Sequence, residues 1–346
     1  MRVDYLIIGQ GLAGTALATV LIETGKRVLV VDDGHLSAAS RAAAGIINPV
    51  TGKRLAKSWK ADLLLPSALE FYREWEGRHG TKVFHARSVL RFLSPEQERR
   101  HWPRRLASGE LEGYYSEEPA GVEPWVRATG KPVEFHPAGY VDTGTFLAVS
   151  ARELAGKGSL RREPFDCAQL RIENNGVCWR DVRAKKVIFC EGYKAARNPY
   201  FDWLPFTSSK GEILTLNAPR IPPTRILNNG KWLLPTSGGE VRVGATYAWD
   251  RLDERPTDTG KRELLGAYET LVNLPPEVID HRAGVRSAVK DTKPVIGLHP
   301  GHSAIGIFNG LGSKGVLTAP CFARQFAAYL ETGAPLDDEV DVRRNF

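Results

Sequence analysis

Cysteine is scarce in this 346-residue chain: there are four, with no C-x-x-C pair and no clustered histidines beside them. That pattern offers neither a metal centre nor a disulfide framework, so no metal is expected and a reducing cytoplasm is the default compartment. Long apolar runs are missing too. None approaches the roughly 20 residues that a membrane helix requires. Asp4 and the early glycines interrupt the N-terminal apolar stretch, which therefore does not read as a secretion signal. There is no excess of acid either. The 47 Lys and Arg outnumber 40 Asp and Glu, leaving a formal charge of +7 that favours anionic partners such as a pyrophosphate, a carboxylate or RNA. No repeat or low-complexity tract occurs. The length suggests two domains, and 42% hydrophobic with 25% charged residues is a globular composition.

Glycine, by contrast, is plentiful at 34 residues, so an isolated glycine motif carries little weight. The stretch from Val3 to Asp32 is more than that. Val3 to Ile8 has the composition of a buried strand and breaks at Gly9. Gly9-Gln10-Gly11-Leu12-Ala13-Gly14 follows as G-x-G-x-x-G, and Ala13, Ala16, Leu17, Val20 and Leu21 then recur at helical spacing up to a C-cap at Gly25. Val28 to Val31 is a second strand, ending on Asp32. In such a unit Gly9 makes the tight turn, Gly11 admits a pyrophosphate to the backbone, and Gly14 lets the helix lie close to the strand. The helix N-terminus, with Leu12 and Ala13 in its first turn, faces the phosphates. Asp32 is placed to bind a ribose diol, and Asp33 would repel a 2′-phosphate. This unit alone leaves FAD and NAD both open.

Further along, Ser37, Ser40, Arg41 and the run Ala44-Gly45-Ile46 suit a loop pressed against a cofactor, with Arg41 a candidate phosphate contact. Lys53, Arg54, Lys57 and Lys60 surround Trp59 and read as a solvated basic face. Pro66 to Glu76 is an aromatic-rich helix. Ser94-Pro95-Glu96 starts another, whose Arg99, Arg100, His101, Arg104 and Arg105 interleave with Glu96 and Glu98 as a salt-bridged face rather than a nucleic-acid contact. Residues 107–137 look irregular. A helix is expected over Thr143 to Leu154, then short strands at Leu160 to Phe165, Ala168 to Ile172, Val177 to Trp179 and Lys186 to Cys190, the last breaking at Gly192. Ile213 to Leu216, Trp232 to Leu234 and Val241 to Gly244 read as antiparallel strands inserted in an α/β chain. A helix from Leu264 to Leu274 follows them.

Near the C-terminus a strand at Ala304 to Phe308 leads into Asn309-Gly310-Leu311-Gly312-Ser313-Lys314-Gly315 and a long helix to about Glu331. These glycines form a second backbone cradle for an anion. Two cradles, one near each end, fit FAD better than NAD. Gly312-Ser313-Lys314-Gly315 is neither a nucleophile elbow, since Leu311 stands where glycine is needed, nor a Walker loop.

With these residues in place the chain resembles the D-amino-acid-oxidase-like FAD oxidoreductases, particularly glycine oxidase and the FAD oxidase domain of the bifunctional tRNA methylaminomethyl-uridine enzyme. The resemblance rests on GQGLAG with Asp32, ASRAAAGIINP (39–49), VIFCEGY (187–193), KGEIL (210–214), VGATY (243–247), AGVRSAVKDTKPVIG (283–297) and GLGSKGVLTAP (310–320). It implies an α/β (α+β) fold: a discontinuous, doubly wound, Rossmann-like FAD domain over residues 1–60, 138–200 and 283–346, and an antiparallel-sheet substrate domain over 61–137 and 201–282. It implies non-covalent FAD contacted also by Phe165, Gly192 and the 310–315 loop, with Lys314 adding charge near the flavin. It implies that Arg286 grips a substrate carboxylate, that Trp232 replaces a tyrosine of glycine oxidase, and that Tyr247 lines the pocket. The implied reaction oxidises a C–N bond of a small carboxylated amine by hydride transfer to flavin N5, with oxygen or a quinone as final acceptor and no side-chain base. An RNA-directed oxidase acting on carboxymethylaminomethyl-uridine in tRNA, an NAD-dependent dehydrogenase and a non-catalytic flavoprotein are the alternatives.

Overall fold

A computed structural model of the chain describes residues 1–35, 38–119 and 121–346. Ser37, placed above in the cofactor loop, lies outside them. The strand Arg2–Ile8 is the axis of an eight-stranded sheet. It runs parallel to Val28–Asp32 on one side and to Val182–Phe189 on the other. Leu160–Arg162 and His302–Asn309 extend the parallel run at its two ends. Leu6, Ile7, Leu29 and Val30 are fully buried, as expected of apolar strands covered on both faces.

One face of this sheet carries four helices, Leu12–Glu23, Ala61–His79, Thr143–Gly156 and Gly315–Thr332, which share a core that includes Phe71, Trp75, Phe146 and Phe322. The hairpin Leu170–Glu173/Gly176–Trp179 continues the sheet antiparallel from Val182–Phe189, and Leu170, Val177 and Trp179 pack with Phe165 and Phe201 in a second core. Asp142 caps the Thr143–Gly156 helix by accepting from the Thr145 amide at 3.0 Å.

A second eight-stranded sheet has the order Glu277–Arg286, Ser209–Asn217, Glu240–Gly244, Lys231–Pro235, Ile226–Asn229, Val89–Phe92, Pro132–Phe135 and Tyr115–Ser116. It is antiparallel except where Ile226–Asn229 meets Val89–Phe92. The helix Asp258–Leu271 packs on it through Leu264, Tyr268 and Leu271. Between the two sheets sits a small one formed by Ile46–Ile47, Gly139–Val141 and Phe84–Ala86.

Several elements depart from the expectations. The helix expected from Pro66 begins five residues earlier, at Ala61, and carries Pro66 inside it. It packs with the nucleotide-sheet helices rather than with the antiparallel sheet. The helix expected from Leu264 starts at Asp258, capped by Thr257, whose hydroxyl accepts from the Gly260 amide at 3.0 Å. Residues 107–137 contain two strands, Tyr115–Ser116 and Pro132–Phe135, completed only by pairing with distant partners. Among the described residues no helix is long and apolar enough to cross a membrane.

Candidate active site

The first glycine loop is built for close backbone approach. Gly9 has φ +104°, and a β-carbon there would lie 2.5 Å from the Cys190 carbonyl oxygen. The helix that follows is capped by Gly11, which offers no side-chain acceptor, and no acid stands in its first turn. Its positive end is therefore open to an anion. Ser40 Oγ accepts from the Leu12 amide at 3.1 Å. Asp32 is held in place by the amides of Gln10 (2.7 Å) and Gly34 (2.8 Å) and by Arg162 Nη1 at 2.6 Å. Asp33 pairs with Lys194 at 2.8 Å. Burial opposes its charge, but the Lys194 ammonium outweighs that and holds the carboxyl below its ordinary range.

The second glycine loop meets the first. Gly310 and Gly312 have φ +73° and +54°, and the Gly312 amide donates to the Ser287 carbonyl at 2.7 Å. Leu12 Cδ1 stands 3.0 Å from where a β-carbon on Gly315 would sit. The helix opening at Gly315 has no side-chain cap hydrogen bond and no first-turn acid. Gly9, Gly11, Leu12 and Ala13 thus share one cavity of about 480 Å³ with Leu311, Gly312, Ser313 and Gly315. Asp32, Asp33, Ser40, Ala44, Gly45, Ile46, Phe165 and Gly192 line it as well. Two open helix N-termini, an acid at the end of the second strand and an apolar wall together fit FAD.

At the far end of the cavity stand Arg286, Trp232 and Tyr247. Arg286 ends the strand Glu277–Arg286, and its guanidinium occupies the space a side chain on Gly211 would take. Its Cζ lies 4.3 Å from the Tyr247 ring centroid, and Nη1 approaches the Thr246 carbonyl at 3.4 Å. No carboxylate pairs with it among the described residues. Burial accordingly pulls its pKa below the ordinary 12.5. Trp232 lies against Gly244, where a β-carbon would fall 2.4 Å from its ring. The Tyr247 hydroxyl is 3.2 Å from Ser313 Oγ, joining the antiparallel sheet to the second glycine loop.

Four residues expected at the cofactor do not face the cavity. Gly14 packs instead, since a β-carbon there would sit 1.9 Å from the Gly9 carbonyl oxygen. Gly310 turns the chain beside Val295. Arg41 points to Gln10 Oε1 at 3.4 Å. Lys314 turns away to Ser58 Oγ at 3.2 Å, where burial lowers its pKa. Other residues were not anticipated. Gly211 gives Arg286 its space. Asn309 donates to the Gly192 carbonyl at 2.9 Å and accepts from the Gly310 amide at 2.8 Å. Glu254 reaches across to His35 at 2.5 Å. Of these, only Asn309 had a signal, its place at the strand end before the glycine loop. The basic face around Trp59 is partly paired: Lys57 meets Asp62 at 2.7 Å and Lys60 meets Asp337 and Glu339.

Fold and cavity together define a dinucleotide-binding protein whose antiparallel sheet lines the same cavity as its glycine loops. The chain belongs to the DAO family of FAD-dependent oxidoreductases, whose match spans residues 4–329. It is an FAD enzyme. Its sequence is 24% identical over 345 residues to glycine oxidase of Geobacillus kaustophilus, covering 92% of this chain and 90% of that one. It is 27% identical over 352 residues to the tRNA 5-methylaminomethyl-2-thiouridine biosynthesis bifunctional protein of Marinobacter nauticus, covering 93% of this chain. The chain spans only about half of that relative's length (54%). In fold it superposes on glycine oxidase from Geobacillus kaustophilus with a TM-score of 0.81 (24% identity, 98% of each chain). It superposes on iminodiacetate oxidase from Chelativorans sp. BNC1 with a TM-score of 0.77 (24% identity, 97% of this chain and 98% of that one).

Proposed function

We propose that this FAD enzyme oxidises the C–N bond of a small carboxylated amine or amino acid, with Arg286 holding the carboxylate. The observation that carries this reading is a partly buried guanidinium in the cavity with no acidic partner among the described residues. A desolvated cation of this kind is stabilised by an incoming carboxylate, and a bidentate pair fixes orientation as well as charge. FAD, when bound, supplies the hydride acceptor.

The chain's own residues do the rest. Arg286 anchors one end of the substrate, and the Tyr247 ring backs the guanidinium at 4.3 Å. Trp232 and Ile213 close the apolar side and exclude water, which favours the neutral amine. The helix opening at Gly315 turns its positive end toward the cavity, where negative charge would build during reduction. No side-chain base is assigned. In this reading FAD is held without a covalent bond, and oxygen or a quinone removes the electrons. The nucleotide domain comprises 1–60, 138–200 and 283–346 together with the helix Ala61–His79, and the substrate domain the remainder.

Arg286→Ala tests the reading. It should raise KM for carboxylated amines at least tenfold, the cost of losing a charged hydrogen-bonded pair. Flavin content, measured by absorbance after acid precipitation, should be unchanged and should appear in the supernatant. Unaltered KM would refute the role of Arg286, and flavin retained in the pellet would refute non-covalent binding.

A second reading, oxidation of carboxymethylaminomethyl-uridine in tRNA, draws support from the bifunctional relatives and from a surface pocket lined by Arg54, Arg100, His101, Arg104 and Arg105 with Glu96 as its lone acid. Salt-sensitive tRNA retention in a gel shift would favour it, and no retention at low salt would remove it.

A further inference from the structure

We infer that Tyr247 and Trp249 form a platform for a planar, apolar substituent on the substrate, so that the enzyme prefers aryl-bearing amino carboxylates to glycine itself. This deepens the proposed reading and rests on Arg286 as the carboxylate anchor. Two large aromatic side chains here are left in water: Tyr247 is 51% exposed and Trp249 66%. Exposed apolar surface beside a functional cavity marks a binding site more often than an accident of folding.

The backbone explains why the two rings lie together. Ala248 pairs with Lys210 through both of its backbone groups, at 2.8 and 3.0 Å. Residues on either side of a strand position share a face, so Tyr247 and Trp249 project to one side. Tyr247 lines the cavity, so that side is the cavity's. The rings are stacked, with centroids 5.9 Å apart and planes 25° from parallel. The segment is also anchored. Lys210, almost wholly buried, bonds Asp253 at 2.6 Å, and Glu254 meets His35 at 2.5 Å across the cavity mouth. The platform is therefore held in place rather than hanging free.

Its distance from Arg286 sets what it can reach. Separations of 4.3 Å from guanidinium to Tyr247 ring and 5.9 Å from ring to ring put Trp249 within about 10 Å of Arg286 Cζ. A carboxylate paired with the guanidinium uses about 4 Å of that span. An extended CH₂–N–CH₂ linker at ordinary bond lengths carries a ring about 6 Å further. Glycine or sarcosine would end short of the platform. A benzyl or similar ring on the amine would lie on it.

The test uses the FAD-loaded enzyme and two carboxylates that cannot be oxidised as amines, methoxyacetate and benzyloxyacetate, each titrated by its effect on the flavin visible spectrum. Benzyloxyacetate should bind about tenfold more tightly, an aromatic pair's worth. Trp249→Ala should abolish that ratio while leaving methoxyacetate binding unchanged, and Trp249→Phe should keep most of it. Equal affinity of the wild-type enzyme for both, or a ratio that survives Trp249→Ala, overturns the platform. Failure of both ligands to bind overturns the carboxylate reading and the platform with it, and Arg286→Ala serves as the reference for that outcome.

Discussion

The guanidinium of Arg286 fills the place where Gly211 would carry a side chain: a β-carbon built there lies 2.0 Å from Nη2 and 2.3 Å from Cζ. The two residues lie on adjacent strands, Glu277–Arg286 and Ser209–Asn217. The missing methyl of one is the seat of the other. Because the displaced atoms are the end of a flexible side chain, Gly211→Ala should leave the fold nearly intact and push the guanidinium out of position. We expect kcat/KM for carboxylated amines to fall by roughly 10- to 100-fold, in line with about 1.5–3 kcal/mol for a charged hydrogen bond. Flavin content and Tm should hardly change. Kinetics equal to wild type would show that the space is not needed.

Asp32 accepts from two backbone amides and from Arg162. Asp32→Ala removes an acceptor from all three and from a bound ribose. FAD affinity should weaken by about ten- to a hundredfold, measured as flavin released on dilution or dialysis. Retention of flavin at wild-type strength would place the ribose elsewhere.

Glu191 lines the cavity, and its Oε2 accepts from Asn198 at 2.8 Å. Burial raises its pKa above the ordinary 4.5, more than Asn198 and Lys194 lower it. A carboxyl of this kind binds its proton more tightly folded than unfolded. The stability it adds is complete below pH 4.5 and is lost as pH rises through the folded-state pKa. Glu191→Gln should therefore raise Tm at pH 8 relative to wild type, with the difference shrinking toward zero near pH 4. A Tm offset independent of pH would contradict this assignment.

Lys210 is 1% exposed and joins Asp253, the Arg255 carbonyl and the neighbourhood of Glu212, whose Oε1 lies 3.8 Å away. Lys210→Met removes the cation and leaves the buried Glu212 with Thr257 and His281 but no ammonium beside it. The expected cost is about 3–5 kcal/mol, the usual penalty for breaking a buried pair. Lys210→Met combined with Glu212→Leu should recover part of that loss. Thermal unfolding of the three proteins decides it, and a single variant as stable as wild type would refute the buried-pair account.

The nucleotide unit was legible because strand, glycines, helix and acid are local and fall in register along 30 residues. Arg286 was found by resemblance, not by pattern, since Glu277–Arg286 is half exposed and charged and does not alternate cleanly. Gly211 lay within the matching stretch KGEIL, but its role as the seat of Arg286 had no signal, because that meaning lies in a side chain 75 positions away. Pro66 misled in the opposite sense: proline commonly opens a helix, and here it sits within one whose first turn is fixed by packing of Ala61, Leu64 and Leu65. Lys314 and Arg41 were read as charges for the cofactor, but rotamer and burial turn both toward protein oxygens.

The meeting of Leu12 with Gly315 has a consequence for biosynthesis. The cavity wall is drawn from residues 8–46, 164–254 and 284–316, so its last part is translated well after its first. A ribosome-bound nascent chain thus carries the recognisable nucleotide motif long before it has a chamber to enclose anything. Flavin capture must await synthesis of the 310–316 segment, and a product cut short before residue 310 would emerge colourless with its first glycine loop untouched.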